Sequence, residues 1–410
     1  MSTDPNAVAD LVLRQFRELP AKRKPAVRDN GLHEWVPLSG IVAEQDGVLT
    51  CLSLATGMKC LPASKLPQAK GNALHDWHAE VLAIRAFNRH LLDECRRLLN
   101  APENHPDSSL LRRRAPREVS PDAPQPFTLR DDVRLHMYCS EAPCGDASME
   151  LTMAAQEDAS PWEIPSASST PDAGGAETLP GRAYFSQLGV VRRKPARGDA
   201  PPTMSKSCSD KIALKQCTSL LSSLTSLLVY PGNAYISSLV LPESQYSAAG
   251  CERAFSSRGR GRMRALDGRE WRGGYRFCQF EVRTTDREFE FSRRSVKGRA
   301  EKIAASNMAA VWTAGGVDEG TMGGVLQGRK AFDARGASAV SRRRMWESVK
   351  GIVGDLEDGV GLRESLEVST YAEVKGSEAL SARREVKRDA RTEALAGWVA
   401  NVGDDDFRLT

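Results

Sequence analysis

One segment, LHDWHAEVLAIRAFNRHLL at 74–92, constrains the fold more than any other. Val81, Leu82, Ile84, Phe87, Leu91 and Leu92, with Leu98 beyond them, recur at helical spacing, so the pattern predicts one helix over 77–99. Its apolar face is wide and needs cover from other elements. Asp76 stands where a side chain can accept a backbone N–H of the first turn. The same turn holds two of the chain's six histidines, His75 and His78, and a carboxylate, Glu80. His-Ala-Glu at a helix start opens a metal-centred site or merely polarises a cap, and the rest of the chain has to decide between them.

The surrounding pattern is mixed. Val8, Leu11, Val12, Phe16 and Leu19 predict a short amphipathic helix over 5–19. Residues 35–60 read as two strands around a Gln-Asp-Gly turn, since Asp-Gly favours a tight hairpin. From Val133 the chain alternates apolar and polar, with Leu135, Met137 and Cys139 on one side. It then passes through Pro143-Cys144-Gly145, so a strand is predicted to feed a helix whose first turn carries Cys144. Two stretches, 101–128 (Pro- and Arg-rich) and 156–182 (Ser/Pro/Ala/Gly-rich), read as surface or disordered insertions. The simplest architecture is a single mixed α/β domain over 1–410.

Composition narrows the class further. A hydrophobic share of 40% supports a packed core and 27% charged residues suit a soluble protein. No apolar run approaches the ~20 residues a membrane helix needs, and the N-terminus lacks the layout of a signal peptide. Nine cysteines, an odd number, argue for reduced thiols in cytoplasm or nucleus, some of them free for metal. The net charge of +4 says little, but its distribution says more. Residues 253–276 hold eight arginines with Trp271 and Tyr275 interleaved, a composition suited to a phosphate backbone and stacked bases, or to a solvated loop. Basic runs at 192–197, with Lys194 and Arg197, and at 382–391 favour a polyanionic partner. No protein partner is evident.

Zinc deaminases combine His-x-Glu with Pro-Cys-x-x-Cys. His78-Ala79-Glu80 and Pro143-Cys144 match in part, but position 147, where the last cysteine belongs, is alanine. A catalytic zinc needs three protein ligands and one open position. Cys139, Cys208 and Cys217 remain open as the third ligand. Cys139 faces a core, Cys217 ends a helical turn, and Cys208 starts a helix, which favours Cys208.

HAE, SEAPCGDAS, RRKPARGDAPPTMSKSCSDK and YISSLVL, in that order, resemble the adenosine deaminases that edit RNA, and most closely the eukaryotic tRNA-specific branch. The resemblance spans roughly 33–407 apart from the insertions. It implies a cytidine-deaminase-like core sheet flanked by helices and elaborated by a C-terminal extension. It implies Zn2+ on His78, Cys144 and Cys208, and Glu80 as the proton carrier. It implies a tRNA substrate, at the adenosine 3′ of the anticodon of tRNA-Ala, with Lys59, Lys194 and Arg197 on the substrate side. It also implies a buried inositol hexakisphosphate, held through Arg85, Lys211, Tyr371, Lys375, Lys387, Trp398 and Asp406, with Asp76 and Lys211 linking that ligand to the zinc site. Four features depart from the family pattern: Trp77 before His-Ala-Glu, Met58 where a threonine is usual, Ala213-Leu214-Lys215-Gln216 after the third ligand, and an extra Lys206. Two other readings stand beside this one, a cytidine or free-nucleoside deaminase and a catalytically silent RNA-binding protein.

Overall fold

The computed structural model describes residues 3–101, 108, 110–156, 160, 179–180, 184–195, 200–356 and 360–409. The predicted insertion at 156–182 and Arg197 fall almost wholly outside them. Eight strands form the central sheet, in the order Glu281–Thr285, Ile236–Pro242, Arg134–Cys139, Leu38–Gln45, Val48–Thr56, Met308–Thr313, Asp318–Met322 and Val325–Leu326. The first three run parallel to one another, and every pairing from Leu38–Gln45 onward is antiparallel. The predicted hairpin is present, turning at Asp46 and Gly47, both with positive φ (50° and 77°), as a tight right-twisted connection requires.

Alternation along the strands sorts the two faces. Ile41, Met137 and Leu239 share one core with Phe87 and Leu91 of the helix Ala79–Asn100. Val42, Tyr138 and Val240 face the opposite way and pack under Val8, Val12 and Phe16 of the N-terminal helix Pro5–Glu18. The sheet is therefore sandwiched, with helices on both faces, and the chain is α/β as its pattern implied. The C-terminal extension supplies Arg342–Gly354, Tyr371–Gly376 and Ser381–Glu393. These contribute Trp346, Val349, Val374 and Val386 to the same core as Ala79–Asn100.

Three local expectations are corrected. The helix predicted from 77 begins at Ala79, and His78, with ψ 141°, holds the cap position. Segment 101–128 is not wholly a surface insertion: Leu111–Arg113 and Phe127–Leu129 pair in a three-stranded sheet with Val229–Tyr230, and Leu111 and Phe127 are fully buried. Proline and arginine density hid two short apolar anchors there. In 253–276, Trp271 and Tyr275 are core residues, 8% and 3% exposed, so neither ring is open for stacking. Trp271 donates its indole N–H to Asp389 at 2.9 Å. Arg253, Arg262, Arg269 and Arg272 pair with acidic groups, which leaves Arg258, Arg260, Arg264 and Arg276 as the exposed basic residues of that stretch.

Candidate metal centre and its surroundings

Three separate elements converge at the C-terminal end of the strand Arg134–Cys139. His78 comes from the cap of Ala79–Asn100, Cys144 from the loop after the strand, and Cys208 from the first residue of the helix Cys208–Thr218. His78 Nδ1 lies 3.8 Å from Cys144 Sγ and 3.7 Å from Cys208 Sγ, and the donor atoms of all three sit within 4.8 Å of one another. Cys144 does not lie on a helix, as its neighbours suggested. It precedes Asp146–Ser148, a single 3-10 turn, and its thiolate draws its support from other groups. The Cys208 thiol hydrogen-bonds to it and lowers its pKa well below the ordinary thiol value, burial opposes this, and Lys194 and His78 add to the lowering. Gly145 makes the approach of the two cysteine loops feasible. Its φ is 104°, and a Cβ there would fall 2.3 Å from Ser207 Oγ. Cys139 and Cys217 are buried in the apolar core and take no part in this donor group.

Behind the ligands, charge is arranged in a line. Asp76 does not cap the helix. Its Oδ1 accepts the His78 N–H at 3.0 Å, while Oδ2 accepts from Lys194 Nζ at 2.8 Å and also from Lys211 Nζ. Burial alone would raise the Asp76 carboxyl, but Lys194 and Lys211 override it and hold it well below the usual carboxylate range. Lys194 also points Nζ at Cys208 Sγ, 3.2 Å away. Lys194, expected on the substrate side, lines the cavity that also reaches His78, Glu80 and Cys144, and it is a buried brace there, 5% exposed, its backbone N–H tied to Ser205 O at 2.7 Å. Nothing in RRKPAR marks which of its charges are buried, and Arg192, 1% exposed, is buried as well. Cys60, with Asp76 and His78, makes a second group of close donors, yet Asp76 is already committed to two lysines. Lys59 is half-buried and donates to Asn307.

Glu80, in the first turn of the helix, is buried, and its carboxyl is pushed up by burial first and by Cys144 next. It lines the cavity, about 550 Å³, that reaches His78 and Cys144, with Met58, Arg193 and Arg294 on the walls. A carboxyl that is reluctant to ionise beside a donor set that could hold a metal suits a group that must both take and return a proton. Trp77 is explained by packing. It is 4% exposed, shares a core with Leu61, Leu74 and Val311, and its carbonyl oxygen would lie 2.1 Å from any Cβ at Gly57 (φ 134°).

A second set of charges lies deeper. Lys215 and Lys387 are both pushed well below the ordinary lysine value, by burial first and then by Arg383, with Arg391, Lys215 and Lys375 also acting on Lys387. Burial and then Arg342 lower Arg85 to about 10. Arg383 and Arg391 each leave a buried Nε with no hydrogen-bond partner. Lys206, beside Trp398 at 5.9 Å from its ring, is lowered to about 7 by burial and then Lys211. Cations this crowded are unfavourable without an anion among them. Lys375 meets Asp405 at 3.3 Å over the ring of Tyr371, which stacks on Phe407. Asp406, expected in this group, is exposed. The buried carboxylate is Asp404, which holds His75 Nε2 at 2.5 Å and Arg342 at 3.3 Å. Arg383, Arg391 and Asp404 were missed in the sequence, where each reads as one charge among many.

Comparison with known proteins finds relatives along most of the chain. Residues 53–402 match the adenosine-deaminase (editase) domain family. The chain is 35% identical over 405 residues to tRNA-specific adenosine deaminase 1 of Schizosaccharomyces pombe, covering 98% of this chain and 96% of the relative. The protein of that name from Saccharomyces cerevisiae is 34% identical over 223 residues, 53% of each chain. The double-stranded RNA-specific editase B2 of Rattus norvegicus is 28% identical over 160 residues, 39% of this chain and 19% of that one. With His78, Cys144 and Cys208 gathered beside Glu80 at one end of a parallel strand trio, the chain belongs to the adenosine-deaminase (editase) domain family.

Proposed function

We propose that this protein deaminates adenosine to inosine in tRNA, with zinc held by His78, Cys144 and Cys208. The observation that supports it is the donor set itself: one imidazole nitrogen and two sulfurs within 4.8 Å of one another, beside a cavity that Glu80 also lines. One histidine and two thiolates suit zinc and leave a coordination position open. When bound, such an ion supplies the Lewis acidity that makes water a nucleophile near neutral pH. Glu80 then accepts one proton from the water attacking C6 of adenine and passes it to the ring nitrogen. It carries the second proton, from the new C6 hydroxyl, to the amino group that departs as ammonia. Asp76 fixes the backbone before the helix by accepting the His78 N–H, and Lys194 balances the negative charge of Asp76 and of Cys208. The walls exclude bulk water from a base splayed out of its stack, as a loop nucleotide readily is.

The finer assignment, the adenosine 3′ of the anticodon of tRNA-Ala, rests on the family resemblance. Inositol hexakisphosphate suits the deep cationic cluster, because its phosphates would give Lys215, Arg383, Lys387 and Arg391 the counter-charges they lack. All nine cysteines are free, which supports a reducing compartment, cytoplasm or nucleus. No helix among the described residues is long and apolar enough to cross a membrane. Incubation of the purified protein with total tRNA, followed by reverse-transcription mapping, should reveal inosine at one anticodon-loop position. Absence of inosine from every tRNA, with zinc bound at one per chain, would overturn this function.

A further inference from the structure

The rim of the cavity carries a feature that deamination itself does not use. Trp35 lines the same cavity as His78, Glu80 and Cys144, but belongs to a separate two-stranded parallel sheet in which His33–Trp35 pairs with Ile303–Ala305. It is half-buried, unlike Trp77 and Trp346, which are 4% and 1% exposed in the cores. Its backbone is pinned from both sides, the Trp35 carbonyl accepting from Ser306 N at 2.9 Å and the next N–H, of Val36, donating to Phe291 O at 3.0 Å. The ring is therefore held at the rim by its backbone while its indole N–H makes no hydrogen bond among the described residues. The Arg293 guanidinium lies over it, 5.9 Å from the ring centroid. Arg293 is exposed and has no ion pair among the described residues, whereas the adjacent Arg294 is occupied by Glu141 at 2.9 Å and Glu288 at 2.7 Å. Lys297, Arg299 and Lys302 continue the exposed basic edge.

An adenosine drawn into the cavity leaves its neighbours with an uncovered face. A fixed aromatic ring at the rim replaces the lost stack, and base–aromatic stacking tolerates any base because each has a π-face. We propose that Trp35 is the stacking platform for one nucleotide adjacent to the target adenosine, with Arg293 and Lys297 receiving that nucleotide's phosphate. This rests on the RNA reading above and adds a residue that positions the substrate.

Two assays keep the two readings apart. In the first, the tRNA found to be edited is remade with an abasic residue immediately 5′ or 3′ of the target. For the wild type one of these should raise KM about tenfold with kcat little changed. Trp35→Ala should raise KM on the intact tRNA by a similar factor and then be indifferent to the abasic site, while Trp35→Phe restores most of the affinity. Equal abasic penalties in wild type and Trp35→Ala would overturn the platform, with bound zinc confirming that the variant is folded. In the second, a stem-loop RNA carrying 2-aminopurine beside the loop adenosine is titrated with protein. Quenching by the wild type and its loss in Trp35→Ala supports the platform even if no inosine forms, in which case deamination alone fails. Equal quenching by both proteins overturns the platform even where inosine is made.

Discussion

Lys194→Met replaces a buried ammonium by a side chain of similar length and no charge. At 2.8 Å from Asp76 Oδ2, and with an effective dielectric of about 20, the lost attraction is roughly 6 kcal/mol before hydration is counted. The unfolded chain no longer gains by hydrating that lysine, so the net loss falls to the about 3–5 kcal/mol typical of breaking a buried pair. Lys211 still contacts the same carboxylate oxygen, with 22% of its side chain exposed, and places the expected value toward the lower end. A chain of 410 residues has an unfolding entropy of roughly 0.9 kcal/mol/K, so Tm should drop by about 3–6 °C. Scanning calorimetry of the zinc-loaded protein measures this, with Asp76→Asn and the double variant completing the cycle. Asp76→Asn/Lys194→Met should be less destabilised than the sum of the singles, because the double change removes both ends of the pair and leaves only the part-exposed Lys211 without its carboxylate. Strict additivity, or a Tm within about 1 °C of wild type for Lys194→Met, would refute the reasoning that the pair acts as a unit.

Glu80→Gln keeps the shape and the zinc but removes the proton carrier, so inosine formation should fall by about 100-fold or more while metal content stays at one per chain. Lys215→Met gives a sign test of the buried cluster by thermal scan. With inositol hexakisphosphate present it should lower Tm, and in protein stripped of polyphosphate it should raise Tm, because a repelled, desolvated ammonium is gone. His75 is lowered to about 4, by burial and then Arg342, against about 6.5 in an unfolded chain. Below pH ~6.5 the unfolded state takes the proton first, so stability should fall as pH drops toward 4, by at most about 1.4 kcal/mol per pH unit from this group. Urea unfolding at several pH values should show a shallower slope for His75→Asn, and an unchanged slope would assign the loss to other groups.

Local chemistry carried much of this fold. Asp46-Gly47 announced its hairpin because positive φ has few candidates, and Val133 to Cys139 announced a strand because every second residue is apolar. His78, Glu80 and Cys144 were legible as parts of a recurring spacing. What stayed hidden was pairing over long separations. Lys194 and Asp76 are 118 residues apart, and nothing periodic marks either as the other's partner. Arginine density in 253–276 suggested an open basic strip, but Trp271 and Tyr275 are drawn into the core and four of the arginines into ion pairs, because tertiary packing outweighs composition. Trp77 looked like an anomaly beside His78 until Gly57 made room for its carbonyl and the cluster of Leu61, Leu74 and Val311 gave its ring a place.

The grip of Asp404 on His75 bears on the order in which the molecule is made. The side chains of His78, Glu80, Cys144 and Cys208 all exist once about half the chain has been synthesised, yet the carboxylate that seats the turn before His78 lies 329 residues beyond His75. A polypeptide interrupted between 208 and 404 would carry all four of these side chains and still lack the strut behind them. Contacts of such long sequence separation form late. A chain that stops short of Asp404 should therefore bind zinc poorly and make no inosine although His78, Glu80, Cys144 and Cys208 are all present, and metal content and activity of such a truncation check this.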